Sequence, residues 1–305
     1  GGGLSQGGRD SALVDGSLFY TNRANNGGGM RINGTCLVTN CDLISNVATG
    51  NDAVGGGLYS TGVKLRNCRV VSNVAEDSTS DGGGVYGGGS FYDCLFSYNK
   101  AGHLGGGVRT EGGTFSNCVF VGNETFTLVG DYGGSAIYAI GATLLNCTMK
   151  ENASVSGSAV LLRNGGTMRN CLVFNNTGWR DGGLGVWRNS TKEISISGCT
   201  IVSNRGTHIY GGGVYVQAQT QPIALNNNII YFNECDGNPA GSNVYVHADA
   251  TASFSNCCFA PALADVAATN YSSDNITEDP RFKNAAAGDY RLRYSSPCIN
   301  AGLNE

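Results

Sequence analysis

The side chains that could do chemistry in this sequence occupy two kinds of position. The first is a series of polar segments carrying Asp52, Glu76, Asp77, Asp81, His103, Glu124, Asp131, Trp179, Arg180, Asp181, His208, Glu234 and Asp236. If successive segments lie side by side, Asp81, His103 and Asp131 come within reach of one another, as do Trp179 to Asp181 with His208. Hydrolysis of a glycosidic bond needs two carboxylates held about 5 to 10 Å apart, one as acid and one as base or nucleophile. Asp81, His103, Asp131, Asp181, His208 and Arg109 are therefore the catalytic candidates. The competing reading is that acidic, glycine-rich segments are solvated turns.

The second kind of position is a regular series: Arg31, Tyr59, Tyr86, Arg109, Tyr138, Leu161, Trp187, Tyr215 and Tyr245. Flat aromatic faces in a line suit stacking against sugar rings, and arginine binds carboxylates bidentately. Tyr59, Tyr86, Arg109, Tyr138, Trp187, Tyr215 and Tyr245 are the candidate ligand-binding residues. Equally, aromatic neighbours on parallel strands stabilise one another without any ligand.

Both series inherit their spacing from an internal repeat. One motif is glycine-rich and ends in an aliphatic residue, as in Gly55-Gly56-Gly57-Leu58-Tyr59, Gly82-Gly83-Gly84-Val85-Tyr86 and Gly105-Gly106-Gly107-Val108-Arg109. It returns as Gly134-Ser135-Ala136-Ile137-Tyr138, Gly157-Ser158-Ala159-Val160-Leu161, Gly183-Leu184-Gly185-Val186-Trp187, Gly211-Gly212-Gly213-Val214-Tyr215 and Gly241-Ser242-Asn243-Val244-Tyr245. Weaker copies begin at Gly1 and Gly27. The other motif is Cys followed five residues later by Asn: Cys41/Asn46, Cys68/Asn73, Cys94/Asn99, Cys118/Asn123, Cys147/Asn152, Cys171/Asn176 and Cys199/Asn204, with Asn228/Asn233 continuing the series. A repeat of this length is one coil of a solenoid. Two or more glycines per repeat, each costing about 1 kcal/mol inside a helix, exclude helical coils.

Period-two alternation then sorts the side chains. Leu58, Val85, Val108, Ile137, Val160, Val186, Val214 and Val244 point inward. So do Leu65, Phe91, Phe115, Leu144, Met168, Ile196, Leu225 and Phe254, three residues before the Cys. The Cys and the residue two later (Leu43, Val70, Phe96, Phe120, Met149, Val173, Ile201, Ile230) complete the core. The sequence predicts an all-β, single-stranded right-handed parallel β-helix of about ten turns over residues 1–258, its hand following the bias of parallel crossovers. Residues 259–305 break the repeat and are expected to cap the last turn through Phe282, Tyr290, Leu292 and Ile299, protecting an open edge. The cysteines are expected as a column of buried free thiols, because parallel in-register strands do not present facing Cβ vectors. Cys36, Cys235, Cys258 and Cys298 lie outside that column, and one disulfide among them is possible. The asparagines read as a corner ladder that tolerates left-handed φ.

Composition removes several functions. The formal net charge is −4, with no basic stripe, which excludes nucleic acid. No run of 18 apolar residues could cross a membrane as a helix. No Cys/His spacing suggests a metal, and no cofactor motif appears. The sequence opens part-way through a repeat and is read as a piece of a longer precursor, so a missing signal peptide is uninformative. Residues Leu95, Val119, Val121, Leu172, Phe174, Val202, Ile229 and Tyr231 form an outward apolar flank, where a covering segment or self-association is expected.

The alternation of Gly-Gly-x-aliphatic with Phe-x-x-Asn (Phe96 to Asn99, Phe120 to Asn123) resembles the repeats of chlamydial polymorphic outer-membrane proteins and related bacterial β-helix surface proteins. The segments Glu278-Asp279-Pro280-Arg281-Phe282, Gly288-Asp289-Tyr290-Arg291-Leu292 and Ser296-Pro297-Cys298-Ile299-Asn300-Ala301-Gly302 are similar to the closing segment of choice-of-anchor Q type surface proteins. The resemblance implies export and display at a bacterial cell surface, and distantly a pectinase-like fold. In that fold's enzymes a lyase base is usually Lys or Arg, with Ca²⁺ neutralising a uronate, so Arg109, Arg163 or Arg188 would serve. No dense Asp cluster on one strand marks such an enzyme here. The sequence is thus read as a secreted or cell-surface module binding glycan or another surface partner, with a polysaccharide lyase or glycosidase as the alternative.

Overall fold

The computed structural model describes residues 1–7, 12–128, 133–187, 192–217, 223–239, 242–259, 269–271 and 274–303. Asp131, Arg188 and Gly241 lie outside the described residues. The chain winds as a parallel β-helix with three sheets of 19, 10 and 9 strands running along it. The first sheet holds up to two strands per turn, before and after a bend. In one turn, Val85–Tyr92 lies in the first sheet, Leu95–Ser97 in the second and Lys100–Ala101 in the third. Each pairs in register with the next turn, as in Val85 with Val108, Phe91 with Phe115, Phe96 with Phe120 and Ala101 with Thr125. Equivalent side chains are therefore stacked directly, and the four inward columns merge into one dry core. The phenylalanines show how tight it is: Phe91 and Phe115 lie parallel with centroids 4.5 Å apart, and Phe96 and Phe120 at 4.8 Å.

Two of the corners in each turn flank the short strand of the second sheet. One residue before each Cys position takes a left-handed φ, supplied by Asn40, Asn67, Asp93, Asn117, Asn146, Asn170, Gly198, Asn227 and Asn256. The second left-handed step falls one residue before the ladder asparagine, on Ser45, Ser72, Tyr98, Gly122, Glu151, Asn175, Ser203 and Phe232. The ladder asparagines do not supply it themselves, since their side chains are needed inside. From Asn22 to Asn243, each Asn amide nitrogen donates to the Asn carbonyl oxygen of the next turn at 2.9 or 3.0 Å. Asn228 stands in the thiol column and donates to the Ile196 carbonyl. All twelve cysteines are free thiols, eleven of them buried. Burial pushes the Cys257 thiol up to about 11, so it is no nucleophile.

The glycine motif exists because backbones meet there. A Cβ on Gly83 would overlap the Lys100 carbonyl, so no larger residue fits at the junction of third and first sheets.

One register differs from expectation. Val160 pairs with Leu184, and Leu184 with Val214, so Leu184 occupies the aliphatic column and Val186 sits two residues further on. Trp187 pairs with Arg163 and is displaced from the aromatic series, whose place is taken by Gly185.

After Phe259 the chain adds a partial turn, with Thr269–Tyr271 pairing beside Ala252–Phe254 and Ile276 bridging Cys258. It then turns back over the outside of the second sheet. The antiparallel pair Phe282–Asn284 and Asp289–Leu292 lays Phe282 and Tyr290 on Phe174 and Val202, flanked by Leu172, Ile229 and Tyr231. The C-terminal half of the apolar flank is thus covered by the chain's own tail, while Leu95, Val119 and Val121 stay half-exposed.

Candidate functional site

The outward series on the first sheet is not one continuous exposed stripe. Register places Arg31, Tyr59, Tyr86, Arg109 and Tyr138 in one column. Tyr138, Leu161, Trp187 and Tyr215 are nevertheless at most 2% exposed, under an outer layer with Leu104 and Tyr210. Period-two alternation finds which side of the sheet a residue faces but not what the loops lay over it. The expected exposure is therefore corrected for Tyr138, Trp187 and Tyr215, while Tyr245 is half-buried against Tyr210.

The accessible part is the N-terminal half. Arg31 lies over Tyr59 at 5.4 Å, Tyr59 is parallel to Tyr86 at 5.8 Å, and Arg109 lies over Tyr86 at 4.8 Å. Both tyrosines therefore have their ring faces occupied, by each other and by guanidinium groups. Flat faces for sugar stacking are not on offer, and the column presents ring edges instead.

Polar side chains converge on its end. His103 Nδ1 is 3.3 Å from Asp81 Oδ1, which also accepts the Leu104 N–H at 3.0 Å. Arg109 Nε is 3.8 Å from Asp81 Oδ2, and its Nη1 is 2.7 Å from Glu111 Oε1. The Arg109 guanidinium is thus engaged by two carboxylates. Arg163 contacts the Tyr138 hydroxyl at 3.2 Å.

The second expected constellation is built differently. His208 stacks on Trp179 at 4.4 Å, and Arg180 lies within 5.5 Å of the Trp179, Trp187 and Tyr210 rings. Asp181 is fully buried beneath them, in space left by Gly185, where a Cβ would come 2.7 Å from Asp181 Oδ2 and 2.8 Å from Ser158 Oγ. Burial raises its carboxyl to about 7, with Ser158 and Arg180 partly opposing the rise. This is an interior acid, closed to substrate. Its folded-state pKa lies above the ordinary 3.8, so the folded state holds the extra proton. Its stabilising contribution is complete below about pH 4 and is lost as pH rises through 7. Urea titrations from pH 4 to 8 should show stability falling by a few kcal/mol across that window, and Asp181→Asn should flatten the slope.

One cluster escaped the sequence reading. Leu58–Arg66 is one strand whose register shifts at a bulge between Ser60 and Val63, so Tyr59 and Thr61 before it and Lys64 and Arg66 after it share an outer face. Lys64 Nζ lies 5.7 Å and the Arg66 guanidinium 5.1 Å from the Tyr92 ring. Both cations are exposed, and among the described residues neither has a carboxylate partner. Between them and the tyrosine column the face carries Thr61 and the glycines Gly62, Gly88 and Gly112. The signal was available, since Arg66 and Tyr92 stand two residues before Cys68 and Cys94, in an outward column beside inward Leu65 and Phe91.

Among the described residues no three His, Cys, Asp or Glu side chains gather as a metal cluster. Among the same residues no helix is long and apolar enough to cross a membrane.

These features define a right-handed parallel β-helix with a mixed cationic and aromatic outer face. A family model described as right handed beta helix region matches residues 58–228 and 132–299, together well over half the sequence, and the chain belongs to that family. No curated protein matches the sequence. Among solved structures, the crystal structure of pectate lyase Pel9A is similar with a TM-score of 0.51, covering 98% of this chain and 93% of that chain at 13% identity. At that identity the likeness is one of fold alone.

Proposed function

We propose that this β-helix is an exported or cell-surface module that binds a glycan along the outer face of its first sheet, between Arg31 and Arg109 in one direction and Tyr59 and Arg66 in the other. The observation that carries this reading is the pair Lys64 and Arg66, two exposed cations without a carboxylate partner among the described residues, set beside Tyr92 and a stretch where Gly62, Gly88 and Gly112 keep the face low. Unpaired guanidinium and ammonium groups are donors for carboxylate or sulfate, and the ring edges and Asp81, His103 and Glu111 can hydrogen-bond hydroxyls. The fold of the pectate lyase neighbour supports the same choice of ligand only as an analogy.

A polysaccharide hydrolase is the second reading. It is favoured by one observation: Asp81 and Glu111 share the Arg109 guanidinium, which keeps the two carboxylates within about 10 Å of each other, the range that hydrolysis uses.

A panel of immobilised neutral, uronate and sulfated polysaccharides, read for both binding and product release, separates these readings. Binding to an acidic polymer without turnover is expected. The double variant Lys64→Ala/Arg66→Ala should weaken it roughly 10- to 100-fold, the worth of charge-assisted hydrogen bonds. Turnover lost in Asp81→Asn or Glu111→Gln would establish the hydrolase instead, and unchanged binding in the double variant would remove the proposed site.

A further inference from the structure

Of the twelve thiols, two meet across a boundary that the repeat does not create. Strand alternation turns Cys257 inward, where it is fully buried, and Cys258 outward toward the tail. There the Cys258 thiol donates to the Glu278 carbonyl at 3.3 Å and shares one cavity wall with Cys298. Both line a small cavity of about 90 Å³ with Asn256, Ile276 and Ala301, and Cys298 is partly open to solvent. Cys36 is buried in the first sheet, and Cys235 lies in the third with its thiol donating to the His208 carbonyl at 3.0 Å.

We propose that Cys258 and Cys298 are a disulfide-forming pair that staples the tail to the last full turn. A low-molecular-weight disulfide such as glutathione disulfide supplies the oxidising equivalents. The accessible Cys298 thiolate attacks one of its sulfurs and releases a first glutathione thiolate. The Cys258 thiolate then attacks Cys298 Sγ of the mixed disulfide and releases the second. One sulfur–sulfur bond forms and one breaks, the two protein protons end on two glutathione thiols, and glutathione disulfide is the species reduced. The staple acts on the tail that covers Phe174 and Val202, since Phe282 and Tyr290 lie on the chain between the two cysteines. The column thiols do not compete, being buried on parallel strands whose Cβ vectors do not face.

The test incubates the whole chain with glutathione disulfide and maps its peptides without reduction. The expected product is a single cross-link between the peptides holding Cys258 and Cys298, about 2 Da lighter than the two thiol peptides together. Proteolysis at Lys283 and Arg291 should slow roughly tenfold on oxidation in the parent chain, and should not change in Cys298→Ser, whose partly exposed site tolerates the hydroxyl. A cross-link through Cys257, glutathione left on Cys298 as a mixed disulfide, or equal proteolysis with and without oxidant would each overturn the proposal.

Discussion

Asn123→Ala is expected to lower the stability of the chain by about 4 kcal/mol, the largest effect of any single polar substitution proposed for it. The size follows from counting bonds. Asn123 is fully buried, and its carbonyl oxygen accepts from the Asn99 backbone N–H at 3.1 Å and the Asn99 amide at 3.0 Å. Its own amide donates to the Phe96 carbonyl and to the Asn152 oxygen, both at 2.9 Å. Truncation takes the Asn123 partner from the buried Asn99 N–H, at about 1 to 3 kcal/mol, and one bond each, at about 1 kcal/mol, from the Phe96 carbonyl, the Asn99 amide, which keeps Val70, and the Asn152 oxygen, which keeps the Asn123 N–H. A surface truncation such as Asn117→Ala loses only exposed bonds, to Asp93 at 3.1 Å and from Asn146 at 3.4 Å, and sets alanine at a left-handed φ. It should cost about 1 to 2 kcal/mol in a urea titration, mostly the strain of alanine at that φ. Equal losses for the two variants would mean that the ladder is not what fixes the corner.

The second large effect concerns binding. Gly88→Tyr should abolish glycan binding while leaving the fold as stable as before. The two halves of that expectation rest on one contrast between glycines. A Cβ on Gly83 would overlap backbone of the adjoining turn, so that position belongs to the fold. A Cβ on Gly88 would meet only the Glu111 carbonyl, at 3.5 Å, in ordinary contact, and its φ lies outside the left-handed region. Nothing in the packing requires glycine there. A phenol ring at Gly88 would stand on the floor between Tyr86 and Tyr92 and fill the space a ligand chain would cross. In a strand a tyrosine is itself well tolerated.

How much of this could be read from the residues differs between core and surface. The inward columns at Leu65, Phe91 and Phe115, and the thiol column, follow from a period of two within a repeat, because only one register buries them all. The single slip, Leu184 in place of Val186, arose where the motif offered two aliphatic residues two apart, both of which point inward. The Asp81–His103 pair and the Trp179–His208 stack were legible for the same reason: residues one repeat apart become neighbours when turns stack. Exposure was not legible. Whether Tyr86 or Tyr215 faces water depends on Tyr210 and Leu104, which belong to loops of irregular length. The raised carboxyl of Asp181 depends on Gly185, a residue whose effect is an absence. Lys64 and Arg66 stand beside the outward column before the cysteines, where no residue type repeats: Arg66 is followed by Tyr92, Ser116 and Leu145.

The central claim is that the outer face between Tyr59 and Arg66 is a glycan-binding surface. Calorimetric titration of a uronate oligosaccharide into the parent chain and into Gly88→Tyr, at matched stability, tests it most directly. Saturable heat in the parent and none above dilution in Gly88→Tyr is the predicted result. Equal affinity in both, or no binding in the parent to uronate or sulfated oligosaccharides, would contradict it.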